Sequence, residues 1–313
     1  MAHAISNVDL AGASAFLGQR FGVDADVVEY VGEGAWSRCY GFTHNGAELV
    51  VRFGDHVEDF ERDRLAARFA SFDLPIPQVI EIDGALDTWY CVSTRGHGTP
   101  LELLDESEWA TTVPSVLATL DALRRADITG TKGYGSWDHQ GDAPHSTWSD
   151  FLLTVIDDPG GTRTSGWKTR LVDAPNGDEV FMRAYENIVD LADAFTGPRC
   201  LIHNDLLNRN VLAVNGHITS VFDWGCSMYG DFVYELATIV FWSNWYPAIE
   251  RSNMLSRSID HHRDMGLDVA NFDERLRCCA LHVGAVHIAY NALLGDLATL
   301  SWTEERTRHF LVR

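Results

Sequence analysis

Apolar and polar residues alternate with one rhythm before residue 100 and another after it. In the first part, short apolar runs at strand period are separated by turn residues. They are Val27-Val28-Glu29-Tyr30-Val31, Arg38-Cys39-Tyr40-Gly41-Phe42, Glu48-Leu49-Val50-Val51-Arg52-Phe53, Val79-Ile80-Glu81-Ile82 and Trp89-Tyr90-Cys91-Val92. Asn45-Gly46 favours a tight hairpin between the second and third, so the pattern predicts a sheet of about five strands, the first three antiparallel. An amphipathic helix over 7–20, carrying Val8, Leu10, Phe16 and Leu17 behind an Asn7 or Ser6 cap, precedes the sheet. A second, over roughly 57–71, interrupts it and is ended by Leu74-Pro75-Ile76-Pro77.

From 101 onward the spacing turns helical. Val113, Val116, Leu117, Leu120 and Leu123 mark a helix over 107–126; others follow over 179–196, 268–297 and 302–313, and a strongly apolar one opens near Asp231 and runs through Trp242. Gly130 to His145, rich in Gly, Asp, His and Trp, is either a substrate wall or an ordinary long connection. One β-hairpin breaks the helical part. Val211, Leu212 and Val214 lie on one side of Asn215-Gly216, and Ile218, Val221 and Phe222 on the other, around the dipeptide that best supplies two positive-φ residues.

Composition narrows the class. A chain of 313 residues with 46% hydrophobic content buries a large core and would usually divide into two lobes. The 24 Lys+Arg against 45 Asp+Glu, a formal −21, argue against nucleic acid or an anionic membrane as partner. A cationic small molecule suits that charge, although acidity also serves solubility. The cysteines at 39, 91, 200, 226, 278 and 279 form no Cys-x-x-Cys pair and read as buried thiols. No zinc spacing occurs, and adjacent His261 and His262 point to different faces of a helix. The N-terminal residues lack a basic segment followed by an apolar run, and no stretch approaches the roughly 18 apolar residues of a membrane span, so a cytoplasmic chain is expected.

The hairpin carries Asp205, Asn210 and Asp223 into one neighbourhood. Phosphoryl transfer needs such a set: a carboxylate near the attacking hydroxyl, and oxygen ligands that hold Mg²⁺ on nucleotide phosphates. The spacing His203-x-Asp205-x-x-x-x-Asn210, followed on the next strand by Asp223-Trp224-Gly225, resembles the catalytic and metal loops of the protein-kinase-like fold. It is more closely similar to the aminoglycoside phosphotransferase family, in particular its hygromycin B branch.

The resemblance implies an α+β, two-lobed fold, with a small antiparallel-sheet lobe over 1–95 that binds nucleotide. A larger, mainly helical lobe over 96–313 would carry the metal site and acceptor pocket. By the same resemblance Asp205 is the catalytic base, Asn210 and Asp223 hold Mg²⁺, and His203 braces the loop. The donor is ATP or GTP, with the base held at a hinge of Ser93, Thr94 and Arg95. Gly32, Gly34 and Ser37 stand where the kinase glycine-rich loop covers the phosphates, with Ser37 replacing its third glycine. Arg52 stands where kinases carry a lysine, with Glu61 or Asp63 as its partner on the next helix. Asp231 at a helix start is suited to accept from free amides. With Glu235, Trp242 and Glu250 it also lies on the stretch expected to face the acceptor, core packing being the alternative for the tryptophans. The acceptor implied is a cationic aminoglycoside, and the protein a monomer or weak dimer. The rival readings are a kinase of an endogenous amino alcohol or sugar, and a nucleotide-binding regulator without turnover.

Overall fold

A computed structural model describes residues 8–195, 197–267 and 269–311. The smaller lobe comprises α1 (Leu10–Phe21), β1 (Glu29–Glu33), β2 (Ser37–His44), β3 (Ala47–Gly54), α2 (Val57–Ala66), β4 (Val79–Ala85) and β5 (Thr88–Thr94). Its five strands form one antiparallel sheet in the order β1-β2-β3-β5-β4, so the expected five strands and the antiparallel first three are present, and the last two join in crossed order. Asp9 caps α1, its Oδ1 accepting from the Gly12 N–H at 2.8 Å. The caps expected at Asn7 or Ser6 lie outside the described residues.

Strand period gives this sheet two unlike faces. Tyr40, Phe42, Leu49, Val51, Phe53, Tyr90 and Val92 are buried together with Ala13 and Leu17 of α1. The Phe16 ring is packed 4.7 Å from Tyr90 and 5.5 Å from Phe53. Each such burial is worth about 1.5–3 kcal/mol, so a one-residue slip of register would be prohibitive. On the other face the registers Cys39↔Arg52↔Cys91 and Gly41↔Val50↔Ser93 set Arg52 among small neighbours. That face looks toward the larger lobe.

The larger lobe runs β6 (Thr99–Pro100), α3 (Glu106–Arg125), β7 (Gly135–Ser136), α4 (Trp148–Leu153), α5 (Trp167–Val172), α6 (Glu179–Leu191) and β8 (Cys200–Ile202). Then follow β9 (Val211–Val214), β10 (His217–Val221), β11 (Met228–Gly230), α7 (Val233–Trp242), α8 (Pro247–Ser252), α9 (Met254–Asp264), α10 (Phe272–Leu294) and α11 (Leu297–Leu311). A capping box opens α3: Asp105 accepts from the Glu108 N–H, and the Glu108 carboxylate from the Asp105 N–H, each at 2.9 Å. Helix α10 is apolar nearly all round, with Cys278, Cys279, Leu281 and Ile288 buried, and it forms the axis on which α6, α7 and α11 pack.

The stretch Gly130 to His145 is a packed connection. Trp137 is fully buried and stacked 5.9 Å from Tyr229, and Arg199 donates to the Gly133 and Thr131 carbonyls, each at 2.6 Å. Between the lobes, the chain after β5 lies directly on β10. A Cβ on Gly96 would stand 2.5 Å from Ser220 Oγ, so only glycine allows this approach. Thr219 Oγ1 donates to the His97 carbonyl at 2.5 Å and ties the two together.

Candidate active site

Strand β8 carries Leu201 and Ile202 into the core and ends at His203, which is completely buried. The Asp205 N–H can only donate, and it reaches His203 Nδ1 at 3.2 Å; the ring proton therefore sits on Nε2, which donates to the Phe222 carbonyl at 3.0 Å. Burial pushes this imidazole down to about 4, so it stays neutral and links the Asp205 N–H to the Phe222 carbonyl.

The loop that follows is bracketed by two non-glycine residues in the left-handed region, Asn204 at φ 68° and Arg209 at φ 62°. Such conformations cost on the order of 1–2 kcal/mol each, so the surroundings must impose them. Carboxylates do so at both ends. Glu235 Oε2 accepts from the N–H groups of His203 at 2.7 Å and Asn204 at 3.0 Å, and Glu102 accepts from the Arg209 N–H.

Between these clamps lies Asp205. Asn210 Nδ2 donates to its carbonyl at 2.9 Å and to its Oδ2 at 3.0 Å, and Asn208 Nδ2 reaches Oδ2 at 3.3 Å. Burial, and after it the charge of Asp223, pushes Asp205 up to about 7, against the pull of the two asparagine amides. A carboxyl held near neutrality is suited to take up a proton at physiological pH.

The hairpin then delivers Asp223. Asn215 at φ 51° and Gly216 at φ 80° form its turn as predicted, and the Phe222 N–H donates to the Asn210 carbonyl at 3.0 Å, which ties the hairpin end to the loop. Asp223 is left-handed at φ 64°, with its side chain 49% exposed and Oδ1 3.9 Å from Arg52 Nη1. Arg52 pairs with Asp63 of α2, whose other oxygen accepts from the Trp224 N–H at 2.7 Å. The choice between Glu61 and Asp63 is thereby made by geometry, since Glu61 turns to Arg64.

Gly32 lies in β1 opposite Cys39, and Gly34 in the β1–β2 turn, closed by the Gly34 N–H donating to the Ser37 carbonyl at 2.9 Å. A Cβ on either glycine would meet nothing within 4 Å. The protein's own packing does not demand glycine there. At the hinge, Ser93 sits in the ladder between β3 and β4, the Thr94 N–H donates to Gln78 and the Arg95 N–H to Glu48. Those two N–H groups are committed, so neither can hold a base edge; the Arg95 side chain pairs with Glu29.

Two residues expected to face the acceptor do not. Asp231 is buried, accepts from the Val233 N–H at 2.9 Å, and takes a two-pronged pair from Arg275, both bonds at 2.7 Å. It caps α7, as its place at a helix start suggests. Glu235 is buried behind the loop, pushed up to about 7 by burial despite the two amides that favour its charge. The reason is that the start of α7 is enclosed on every side, so residues one turn apart both point inward. Trp242 is half-buried against the core, and Glu250 stays at the surface. Trp242 stacks on Trp302 at 5.0 Å, with Trp245 edge-on to Trp302 at 4.9 Å, and Glu250 is exposed on α8. Trp302, Glu102 and the clamping role of Glu235 carry no signal in the sequence, because each acts on residues far away along the chain.

The sequence pattern of the phosphotransferase enzyme family matches residues 27–267. The chain belongs to that family. This phosphotransferase is a nucleotide-dependent kinase, and its kinase-like fold, with an antiparallel-sheet lobe and a helical lobe, is the one the resemblance implied. It is 30% identical to hygromycin-B 4-O-kinase of Escherichia coli over 293 residues, 93% of this chain and 82% of that protein. A thermostable mutant of aminoglycoside phosphotransferase APH(4)-Ia, in ternary complex with AMP-PNP and hygromycin B, superposes with a TM-score of 0.83 at 29% identity, covering 95% of this chain and 97% of that one. The GDP complex of aminoglycoside 2'-phosphotransferase-IIIa shares the fold at 14% identity, with a TM-score of 0.64 and coverage of 97% and 98%. Among the described residues no helix is long and apolar enough to cross a membrane.

Proposed function

We propose that this phosphotransferase moves the γ-phosphate of ATP or GTP to a hydroxyl of an aminoglycoside of the hygromycin B type, and so confers resistance. The observation that carries the reading is the joining of Asp205 to Asn210 in one loop, with Asp223 and Arg52 across from it. Asp205 accepts the proton of the attacking hydroxyl and orients it. His203 fixes the Asp205 backbone. Arg52, held by Asp63, supplies a fixed cation beside the phosphates. Open space at Gly32 and Gly34 supports close backbone approach to those phosphates, with Ser37 closing the turn.

The donor set fits Mg²⁺. Asn210 spends its Nδ2 on Asp205, which leaves Oδ1 as an acceptor, and Asp223 offers a half-exposed carboxylate. Among the described residues no three His, Cys, Asp or Glu side chains form a metal cage, and a nucleotide-borne ion needs none, because phosphates and water complete its shell. When bound, Mg²⁺ neutralises charge developing on the transferred phosphoryl group. Asn210 and Asp223 are the residues that would hold it.

For the acceptor, support comes from three features. The net charge is −21. Tyr246 stands beside the loop that carries Asp205, its hydroxyl donating to the Leu207 carbonyl at 3.4 Å. The Trp242, Trp245 and Trp302 rings, with Glu250 nearby in the chain, offer an aromatic and acidic wall of the kind a cationic sugar uses. We place the lobe boundary at 95/96 and take the protein to act in the cytoplasm, where nucleotide is abundant and its six free thiols persist. We also take it to be a monomer or weak dimer.

The test is a nucleotide-consumption screen against hygromycin B, other aminoglycosides, amino alcohols and simple sugars, with mass spectrometry for one added phosphate. Aminoglycoside turnover that weakens as salt rises is the expected result. Turnover of an amino alcohol or sugar alone would replace the acceptor class and leave the phosphotransfer assignment standing.

A further inference from the structure

One cation from the larger lobe sits where three parts of the nucleotide site meet. Arg163, in the connection between α4 and α5, donates from Nη1 to Asp59 Oδ2 at 2.7 Å, and from Nη2 to Asp59 Oδ1 at 3.2 Å and Glu58 Oε1 at 2.5 Å. Its guanidinium carbon lies 5.4 Å from the ring centre of Trp36, in the turn between Gly34 and Ser37. Asp59 abuts the loop that carries Asp223: a Cβ on Gly225 would stand 3.2 Å from its Cγ. The same helix α2 reaches that loop twice more, through Arg62 to the Gly225 carbonyl and Asp63 to the Trp224 N–H.

The segment that presents Arg163 is a shaped one. Asp158 accepts from the Gly166 N–H at 2.8 Å and the Lys168 N–H at 3.1 Å, and the buried Trp167 indole donates to the Asp157 carbonyl at 3.1 Å. Burial disfavours the Arg163 charge, but the Asp59 and Glu58 carboxylates outweigh it and leave the guanidinium more firmly protonated.

We propose that Arg163 is a positioning residue for the donor nucleotide, a cross-lobe latch that sets the glycine turn and α2, and through α2 Arg52, against the Asp223 loop. The phosphates must fit between parts borne by different lobes, and a guanidinium with three carboxylate contacts and an aromatic face is the side chain suited to hold such parts in register. The inference rests on nucleotide-dependent phosphotransfer and is independent of the acceptor.

The experiment is calorimetric titration of a non-hydrolysable triphosphate with Mg²⁺, without acceptor, into wild type, Arg163→Ala, Arg163→Lys, Trp36→Ala and the double Ala variant. Steady-state KM for nucleotide and acceptor, and unfolding midpoints, accompany it. Arg163→Ala is expected to weaken nucleotide binding and raise its KM about tenfold, a size appropriate to losing charged hydrogen bonds at a partly buried site, with the acceptor KM unchanged. Arg163→Lys should recover only part, since it keeps the charge and loses the fork. The double variant should cost less than the sum of the singles. Nucleotide affinity like that of wild type in Arg163→Ala, or an equal rise in both KM values, would overturn the latch; if that variant does not fold, wild-type affinity in Arg163→Lys and Trp36→Ala does so instead. A wild-type protein that bound no nucleotide would overturn this inference and the proposed function together, whereas failure of the latch alone leaves wild-type binding intact.

Discussion

Asp205 and Asp223 face the cleft, while Asp231 and Glu235, a few residues further along the chain, are sealed in the interior. Both pairs are acidic and both lie at the ends of β-elements or helices, yet their partners differ. Around the open pair the donors are few and neutral or distant: two asparagine amides for Asp205, and Arg52 at 3.9 Å for Asp223. The sealed pair is held by a two-pronged Arg275 and by backbone N–H groups. A carboxylate with unfilled lone pairs in a cleft can take a proton or a cation. One held in the interior, Asp231 through both oxygens by Arg275 and Glu235 through Oε2 by two backbone N–H groups, is a strut, and its value is mechanical.

The strongest way to break this comparison is Asp205→Asn. It removes proton acceptance with almost no change in volume, so kcat should fall on the order of a thousandfold or more, with little loss of stability. Steady-state rates and urea unfolding on the same preparation check both halves; turnover near the wild-type rate would move the base elsewhere.

Asp231→Ala should behave oppositely. It leaves Arg275, only 3% exposed, without its carboxylate, and removing one partner of a buried pair costs about 3–5 kcal/mol. Denaturant titration measures it. Asp231→Leu with Arg275→Met should recover most of the loss, because paired apolar replacement leaves no orphaned charge. A single variant as stable as wild type would mean that Asp231 is no strut.

The smallest effect sharpens the comparison by pH. Glu235 is raised to about 7 from an ordinary 4.5, so between those values the folded protein binds more protons than the unfolded chain. Stability contributed in this way is highest at the acid end and falls as pH rises through that window, by about 3 kcal/mol at most. Glu235→Gln keeps an oxygen for the His203 and Asn204 amides and has no proton to lose. The difference in unfolding free energy between wild type and variant, followed from pH 4.5 to 8, should therefore shift in the variant's favour as pH rises. A constant difference would show that Glu235 does not titrate there.

These pairs also show where the sequence could be read. Asp205, Asn210 and Asp223 are legible because a short loop and an Asn-Gly hairpin bring them together, and turn chemistry acts over a few residues. The apolar faces of β2, β3 and β5 are legible because period 2 states them directly. The partner of Arg52 is not, since two acids two residues apart on one helix differ only in how that helix is docked. Asp231 and Glu235 look, as residues, like acids free to face an acceptor. Only the enclosure of α7 decides otherwise.

By itself the sequence determined the secondary elements and the gathering of Asp205, Asn210 and Asp223, because local propensity, strand period and turn geometry act at short range; the two-lobed α+β class followed from the family resemblance of its motifs. The tertiary structure decided which carboxylates are open and which are struts. Glu102 meets Arg209 across 107 positions, and Arg163 meets Asp59 across 104. The strength of such a contact depends on burial and on the direction of its donors, and both exist only once the lobes have packed.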